Sequence, residues 1–482
     1  MATPIPANQA PLDARAAAEA TGGRVVQTRG GRVARGVTTD SRAVVAGSAF
    51  VALRGQRYDG HAYLEAAIEA GAVLLIVEKG RAPSEGSGAD VVEVTDTLSA
   101  WAAIARAHLR AWRAQNPQAR VVAITGSAGK TTTKELCAAI LRAVGACHAT
   151  RGNLNNRIGV PAVALEVEPC TRFLVLEMGM SVRGELGALA AIAEPDVGVI
   201  TNIGLAHAGG VGGSADDVAR EKGALFEAVR AGGFAIANAD DPAVVHELRR
   251  APSARVVTFG TDGRADYQLV SRRPVGVDGS MVDVRTPRGG TAAFHLPMAG
   301  HAAAIDFVAA LAAAEAVAGV PFEQARVASA LGMVSSLPGR MHSRRLRGDV
   351  LLLDDTYNAS PASMRAALAT LGEVAHGRRV AVLGEMKELG AAASREHDSL
   401  GKAVADAGVA LLVSCGGLAD AAAREAERRG VDVVLARDAG HAAHIAVDRV
   451  RSGDAVLVKA SRSVGAEHVV EALVTAFGEE VR

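Results

Sequence analysis

Aromatic residues make up only 3 % of this chain, its cysteines number four, neither sign of charge prevails, and no long uninterrupted apolar run occurs. Each scarcity removes a class of protein. The cysteines Cys137, Cys147, Cys170 and Cys415 form no CxxC pair and sit beside no histidine cluster at finger spacing, so neither a disulfide framework nor a zinc module is expected, and they read as reduced core thiols. The 52 basic residues balance 52 acidic ones, which argues against an electrostatic nucleic-acid binder and against a charged disordered tail. No window approaches the roughly 18 uninterrupted apolar residues of a membrane span. The start, MATPIPANQAPLDARAAAEA, lacks the basic-then-apolar layout of a secretory signal. A cytoplasmic enzyme without nucleic-acid or membrane partners is the expectation.

What the chain has in quantity is alanine, glycine and length. At 482 residues it exceeds one hydrophobic core, and at roughly 150 residues per domain about three are expected. Short apolar runs, Ser48 to Leu53 and Val73 to Val77, flank a helical pattern from Tyr63 to Ala70 and read as a small α/β unit. This unit ends in a charged, Gly/Ser-rich piece near Arg81 to Asp90 and a last strand, Val91 to Val94. A helix from about Leu98, running past Trp101 and Trp112, opens a second unit. There strands such as Arg120 to Thr125, Phe173 to Glu177, Val197 to Thr201 and Gly233 to Ala237 alternate with helical stretches, the pattern of a parallel sheet covered on both faces. The stretch Val256 to Leu296 suggests antiparallel strands, and an Ala-rich helix follows over Ala302 to Ala318. The turn Leu337-Pro338-Gly339 reads as a hinge. Beyond it, Val350 to Asp354, Val380 to Leu383, Ala410 to Ser414, Val431 to Ala436 and Ala455 to Lys459 give five strands of a second open α/β domain. The expected division is 1–97, 98–337 and 338–482.

Chemistry concentrates first in Gly126-Ser127-Ala128-Gly129-Lys130-Thr131-Thr132, between an expected strand and an expected helix. Glycines let backbone amides approach phosphate oxygens, a helix N-terminus adds positive potential, Lys130 neutralises charge, and the Thr131 hydroxyl can hold Mg2+. The spacing is shorter than GxxxxGK[ST], with Ile124 where the first glycine would stand. The competing reading, a glycine turn that merely caps a helix, fits poorly with GKTT following an apolar strand.

Glu177, His207 and Lys222 lie at or near the carboxyl ends of the sheet, where open α/β folds place ligands. Glu177 is a plausible hard ligand for Mg2+. His207, taken alone, is as well a surface or core histidine, and Lys222 alone reads as a solvated helix lysine. Asn153, Asn155 and Asn156 in RGNLNNRIGVP offer neutral donors and acceptors for a substrate, or simple turn chemistry. A last group comprises Arg340 in LPGRMH, DDTYNASPASM from Asp354, GEMKELG from Gly384, and KASRSVGAE from Lys459. Any of these could cap a helix, Asp354 and Ser360 above all.

In this order the motifs resemble the Mur ligase family over almost the whole chain. TTDSRAVVAGSAFVALRGQRYDGHAY, with Asp40-Ser41-Arg42 and the Gly55 to His61 turn, is similar to its uridine-nucleotide domain. TGSAGKTTTKE, NLNNRIGVP, LEMG and TNIGLAH match its ATPase domain. DDTYNASPASM, GEMKELG and the Lys459 to Arg462 stretch match its third domain.

The resemblance implies three domains: a small N-terminal α/β uridine-nucleotide domain, a central P-loop ATPase-like parallel sheet and a C-terminal Rossmann-like α/β domain. It implies an ATP-dependent amide ligase of peptidoglycan synthesis that joins D-alanyl-D-alanine to UDP-N-acetylmuramoyl-tripeptide through an acyl phosphate, working as a monomer. ATP and two Mg2+ are the implied cofactors. Lys130 and Thr131 would meet phosphates and metal, Glu177 the same metal, and His207 a second. Lys222 matches a lysine carried in the family as a carbamate. Arg340 and Asp355 would contact the nucleotide on domain closure, Asn156 the nucleotide, and Ser41, Arg42, Asn155 and Asn358 the substrates.

The family's G-x-H-N-x-x-N stretch, which touches adenine, is here GHAAAID. Ala302 and Ala303 replace its His and first Asn, and Asp306 takes the last position. The relatives that add a diamino acid to a UDP-dipeptide carry a DNPR-type signature absent here. A P-loop ATP-binding protein without ligase chemistry is the other alternative, and the presence of Lys130, Glu177, His207 and Lys222 argues against it.

Overall fold

The computed structural model describes residues 3–55, 58–84, 88–334 and 338–480. Leu337 of the expected hinge, the middle of the Gly55 to His61 turn and part of the Arg81 to Asp90 stretch lie outside the described residues. Near the N-terminus a mostly parallel sheet runs in the order Arg24–Gln27, Asp90–Val94, Leu74–Glu78, Ala49–Val51, Val37–Thr38, with Arg24–Gln27 antiparallel at the edge. The expected helix at Tyr63 begins instead as a 3-10 turn, Gly60–Tyr63, because Asp59 caps the His61 amide; the α-helix proper is Leu64–Glu69.

Helix Thr97–Gln115 joins this unit to the next. The Asp96 carboxylate caps it by accepting from the Ser99 amide, and its apolar face is shared between both units. Trp101 and Trp112 are buried in that shared core, and each indole N–H is satisfied by a carbonyl, of Ile158 at 3.0 Å and Thr171 at 3.0 Å.

The central sheet runs Thr291–Leu296, Ser280–Arg285, Tyr267–Pro274, Arg255–Gly260, Phe234–Asn238, Val197–Ile200, Arg120–Thr125, Phe173–Glu177, Cys147–Ala149. Strand Arg120–Thr125 pairs in parallel with Phe173–Glu177 on one side and Val197–Ile200 on the other. The chain passes first to one side of it and later to the other, so the order reverses there and a crevice opens at these three carboxyl ends.

The stretch expected to be wholly antiparallel is mixed. Arg255–Gly260 extends the parallel sheet because helix Pro242–Glu247 carries the chain back across the face; only Tyr267–Pro274, Ser280–Arg285 and Thr291–Leu296 form an antiparallel meander. Helix His301–Ala318 is long and apolar enough by composition to cross a membrane, with a mean hydropathy of 1.5, although Asp306 and Glu315 interrupt it. Here it is two-thirds buried, lying against helix Lys130–Arg142 and the sheet.

The C-terminal sheet has, among the described residues, one strand more than the expected five. Its order is His342–Leu346, Val350–Asp355, Ala455–Lys459, Arg379–Leu383, Leu411–Ser414, Asp432–Leu435, and the added His342–Leu346 pairs antiparallel at the edge. Its alternation is masked by three basic residues within His342–Leu346, which leave Leu346 as its one fully buried apolar side chain. All four cysteines are free, but Cys170 is exposed in the turn before Phe173–Glu177, and so is not the core thiol expected.

Trp101→Ala removes a buried indole from the core shared by the first two units. Denaturant unfolding is expected to record a loss of about 3–5 kcal/mol; an unchanged midpoint would mean that this core is not formed.

Candidate active site

The phosphate loop sits where strand Arg120–Thr125 ends and helix Lys130–Arg142 begins. Two glycines are required by space as well as by conformation. A Cβ on Gly126 would fall 1.8 Å from the Thr201 hydroxyl, and one on Gly129, at φ +81°, would fall 2.2 Å from an Asp306 carboxyl oxygen. The loop is braced by the turn after Val197–Ile200: the Ala128 amide donates to Asn202 Oδ1 at 2.9 Å, the Thr201 hydroxyl donates to the Ala128 carbonyl at 2.6 Å, and the Gly204 amide donates to Ser127 Oγ at 2.8 Å. Lys130 Nζ turns back to the Gly126 carbonyl at 2.7 Å.

Glu177 ends the neighbouring strand at 1 % exposure. The Thr131 hydroxyl donates to its Oε2 at 2.7 Å, and Asn155 Nδ2 donates to its Oε1 at 2.8 Å. Burial pushes this carboxyl up, but the charges of Arg340, Lys130 and Lys134, with the Thr131 hydroxyl, outweigh it and hold the group below the usual carboxylate range. The set Thr131 and Glu177 presents two hard oxygens at a phosphate loop, which suits Mg2+.

Burial lowers the Lys130 ammonium; Glu177 and Asp306 partly oppose that shift, and Arg340 adds to it. Lys222, at 1 % exposure in helix Ala215–Glu227, lies well below the usual lysine range, through burial first and then the neighbouring charge of Lys130. It is not the solvated helix lysine that its sequence context alone suggests. Asp306 is buried against Gly129, and burial raises its carboxyl well above the usual range.

The C-terminal domain closes over these groups. A cleft of about 720 Å³ is lined on one side by Ser127 to Lys130, Asn155, Asn156, Glu177, His207 and Asp306, and on the other by Arg340, Asp355, Tyr357, Asn358, Glu388, Lys459 and Arg462. Gly126, Thr131 and Lys222 are not among the residues that line it.

Arg340 stacks over the Tyr357 ring, 4.0 Å from its centroid. It does not pair with Asp355, whose carboxylate takes Lys459 Nζ at 2.6 Å and the Met341 amide at 3.2 Å. Lys459 also donates to the Asn358 carbonyl at 2.8 Å. Asn156 lines the cleft, but its Oδ1 accepts from the amides of Ile158 and Gly159 at the start of helix Gly159–Ala164. Ser41 and Arg42 are not brought to this cleft; Arg42 is exposed and pairs with Asp40 at 2.7 Å.

Glu388 is the residue that sequence reasoning missed. His207 adopts φ +64°, and its Nδ1 meets the Glu388 carboxylate, while the Gly209 amide donates to the Glu388 carbonyl at 3.1 Å. The pairing with His207 lowers the Glu388 carboxyl. GEMKELG drew notice as a loop, but nothing local in it points to a partner 181 positions earlier. Among the described residues no group of three or more His, Cys, Asp or Glu side chains forms a ready-made metal cage.

Three family models cover much of the chain: Mur ligase family, catalytic domain, over 33–109; Mur ligase middle domain over 124–314; and Mur ligase, glutamate ligase domain, over 339–462. The chain is 36% identical over 440 residues to the UDP-N-acetylmuramoyl-tripeptide--D-alanyl-D-alanine ligase of Synechocystis sp., covering 91% of each. It is similar to the crystal structure of MurF from Acinetobacter baumannii, with a TM-score of 0.84, 30% identity and coverage of 96% of this chain and 99% of that one. It is also similar to MurF ligase from Thermotoga maritima in complex with ADP, with a TM-score of 0.78, 28% identity and coverage of 91% and 97%.

Glu388→Ala is expected to speed amide hydrogen exchange in residues 205–212 and 385–390 while leaving strand Arg120–Thr125 protected. The protection depends on pH in a definite direction. Because pairing lowers the Glu388 carboxyl from its usual value of 4.5, the contribution is full above that value and is lost as pH falls through the lowered one. Exchange unchanged in the variant would count against the His207–Glu388 contact.

Proposed function

The chain belongs to the Mur ligase family, and from that premise we propose that it joins D-alanyl-D-alanine to a UDP-N-acetylmuramoyl tripeptide at the expense of ATP. The product is the UDP-linked pentapeptide precursor of peptidoglycan, with ADP and phosphate. The observation that carries this reading is the shared cleft: a phosphate loop and Glu177 on one domain face Arg340, Asn358 and Lys459 of another across a single enclosure. A phosphorylated intermediate formed on one wall can meet its acceptor on the other without entering bulk water.

The loop amides and Lys130 hold the ATP phosphates. The tripeptide's terminal carboxylate attacks the γ-phosphorus, the bond from that phosphorus to the β,γ-bridging oxygen breaks, and ADP leaves. The D-alanyl-D-alanine amine then attacks the acyl carbon, the C–O bond to phosphate breaks so that phosphate leaves with that oxygen, and the amine gives up a proton. Arg340 and Lys130 offset negative charge that spreads over the transferring group. Thr131 and Glu177 would hold Mg2+, with His207 and Lys222 toward a second ion, and such an ion would supply positive charge to offset that of the phosphates.

Lys222 suits carbamate formation because burial disfavours its charged form, and the uncharged amine is the form that adds CO2. The adduct would place an anionic oxygen ligand there. Asp306, Asn156 and Asp355 are assigned to the nucleotide, and Asn155 and Asn358 to the peptide substrates. Ser41 and Arg42 are assigned to the uridine end of the precursor, distant from the reacting carboxylate. The division into domains 1–97, 98–337 and 338–482 belongs to the same reading. One chain supplies both walls of the cleft, so a cytoplasmic monomer suffices.

ADP release is expected only when UDP-tripeptide and D-alanyl-D-alanine are both present, with the pentapeptide mass as product. Vigorous ATP turnover without either substrate would contradict the ligase reading. Lys222→Ala is expected to lower kcat by about a hundredfold or more, the scale of several kcal/mol that a bound metal contributes, and to abolish the carbamate carbon resonance seen in labelled bicarbonate. Undiminished amide formation in that variant would overturn the assignment of Lys222.

A further inference from the structure

Lys134 has no part in the mechanism above, yet it is a cation at 1 % exposure, a placement proteins avoid unless the charge is used. It stands one turn after Thr131 on helix Lys130–Arg142, so both side chains emerge on one face. Its Nζ donates to the Thr150 carbonyl at 2.7 Å and meets the Glu135 carboxylate beside it. Thr150 follows strand Cys147–Ala149 and is itself at 1 % exposure. Its hydroxyl accepts the Glu177 amide at 2.9 Å, and its own amide donates to the Val175 carbonyl at 3.0 Å. With the Thr131 hydroxyl on Glu177 Oε2, these bonds close a ring: helix to Thr150, Thr150 to Glu177, Glu177 back to the same helix.

We propose that Lys134 is a positioning residue for ATP-bound magnesium: through Thr150 it fixes the Glu177 strand end against the helix that carries Thr131. The inference rests on the reading of Thr131 and Glu177 as the metal pair and adds a residue outside it. Thr131 and Glu177 arise 46 positions apart on different elements, and their hydroxyl–carboxylate contact is the one direct side-chain bond between them. A metal held by both oxygens replaces that contact and needs the two elements held in register by something else. Lys134 and Thr150 supply a second tie with no ligand atom in it. A residue that only glued helix to sheet would change stability and leave the metal requirement alone, so the metal requirement is the property to measure.

ADP binding to the full-length protein is followed by calorimetry across a range of Mg2+ concentrations, with no turnover involved. For Lys134→Met the Mg2+ concentration giving half the metal-dependent gain in affinity is expected to rise about 10–100-fold, the usual cost of losing a group that orients a metal ligand. ADP binding without metal, and UDP-tripeptide binding, are expected to stay at wild-type strength. Glu135→Gln, which alters only the outer contact of Lys134, is expected to leave the midpoint in place. Lys134→Gln stands in if the Met variant does not fold. Should neither fold, Thr150→Val breaks the ring from the hydroxyl side and is expected to shift the midpoint in the same direction. An unshifted midpoint in the folded variant overturns the role of Lys134. If ADP binding by the wild-type protein ignores Mg2+ altogether, the Thr131–Glu177 pair itself is misassigned, which is a separate result.

Discussion

The contact between the Thr131 hydroxyl and the buried Glu177 carboxylate is the constraint around which the rest of the molecule is arranged. A carboxylate out of water is costly unless cations and donors surround it. Here they come from several directions: Lys130 and Lys134 from the helix of the phosphate loop, Asn155 from the loop after Cys147–Ala149, and Arg340 from the C-terminal domain. The reversal of strand order at Arg120–Thr125 places the phosphate loop and the Glu177 strand end side by side. The domain that carries Arg340 then adds to the field on that carboxylate when it closes.

Closure has its own contacts: Leu205, Val277 and Ala299 pack against the C-terminal core, and polar pairs join them. His207 meets Glu388, Gly209 donates to the Glu388 carbonyl, and Arg272 of the antiparallel meander pairs with Glu373. Such pairs are individually weak where water reaches them, which suits a domain that must open to exchange nucleotide and products. The core shared by the first unit and the central sheet is apolar and built around Trp101, and it is suited to a fixed joint. The molecule thus combines one apolar joint with one that mixes charged pairs and apolar packing.

What could be read from the sequence follows from how local each signal is. GSAGKTTTK declares a phosphate loop because glycines, lysine and threonines fall within one turn, and FLVLE ends in its carboxylate where the strand ends. The alternation of strands and helices gave the α/β architecture, since each period is set by neighbouring residues. The parallel pairing of Arg255–Gly260 was hidden, because it depends on where helix Pro242–Glu247 returns the chain. The edge strand His342–Leu346 was hidden by its basic residues. Glu388 could not be paired with His207, nor Arg340 with Tyr357, because those contacts are decided by packing and by the docking of loops, and no spacing records it. Lys222 is the converse case. Its sequence context looked bland, resemblance marked it, and burial supplies the physical reason that an amine there would be unusual.

The central claim is that the phosphate loop delivers the γ-phosphoryl group to a carboxylate instead of to water. Following oxygen from a tripeptide whose terminal carboxylate carries the heavy isotope tests it directly. The account expects heavy oxygen from that carboxylate in the released phosphate, in step with pentapeptide formation. Phosphate whose new oxygen comes from solvent, with the carboxylate label retained in full by the peptide, would contradict it.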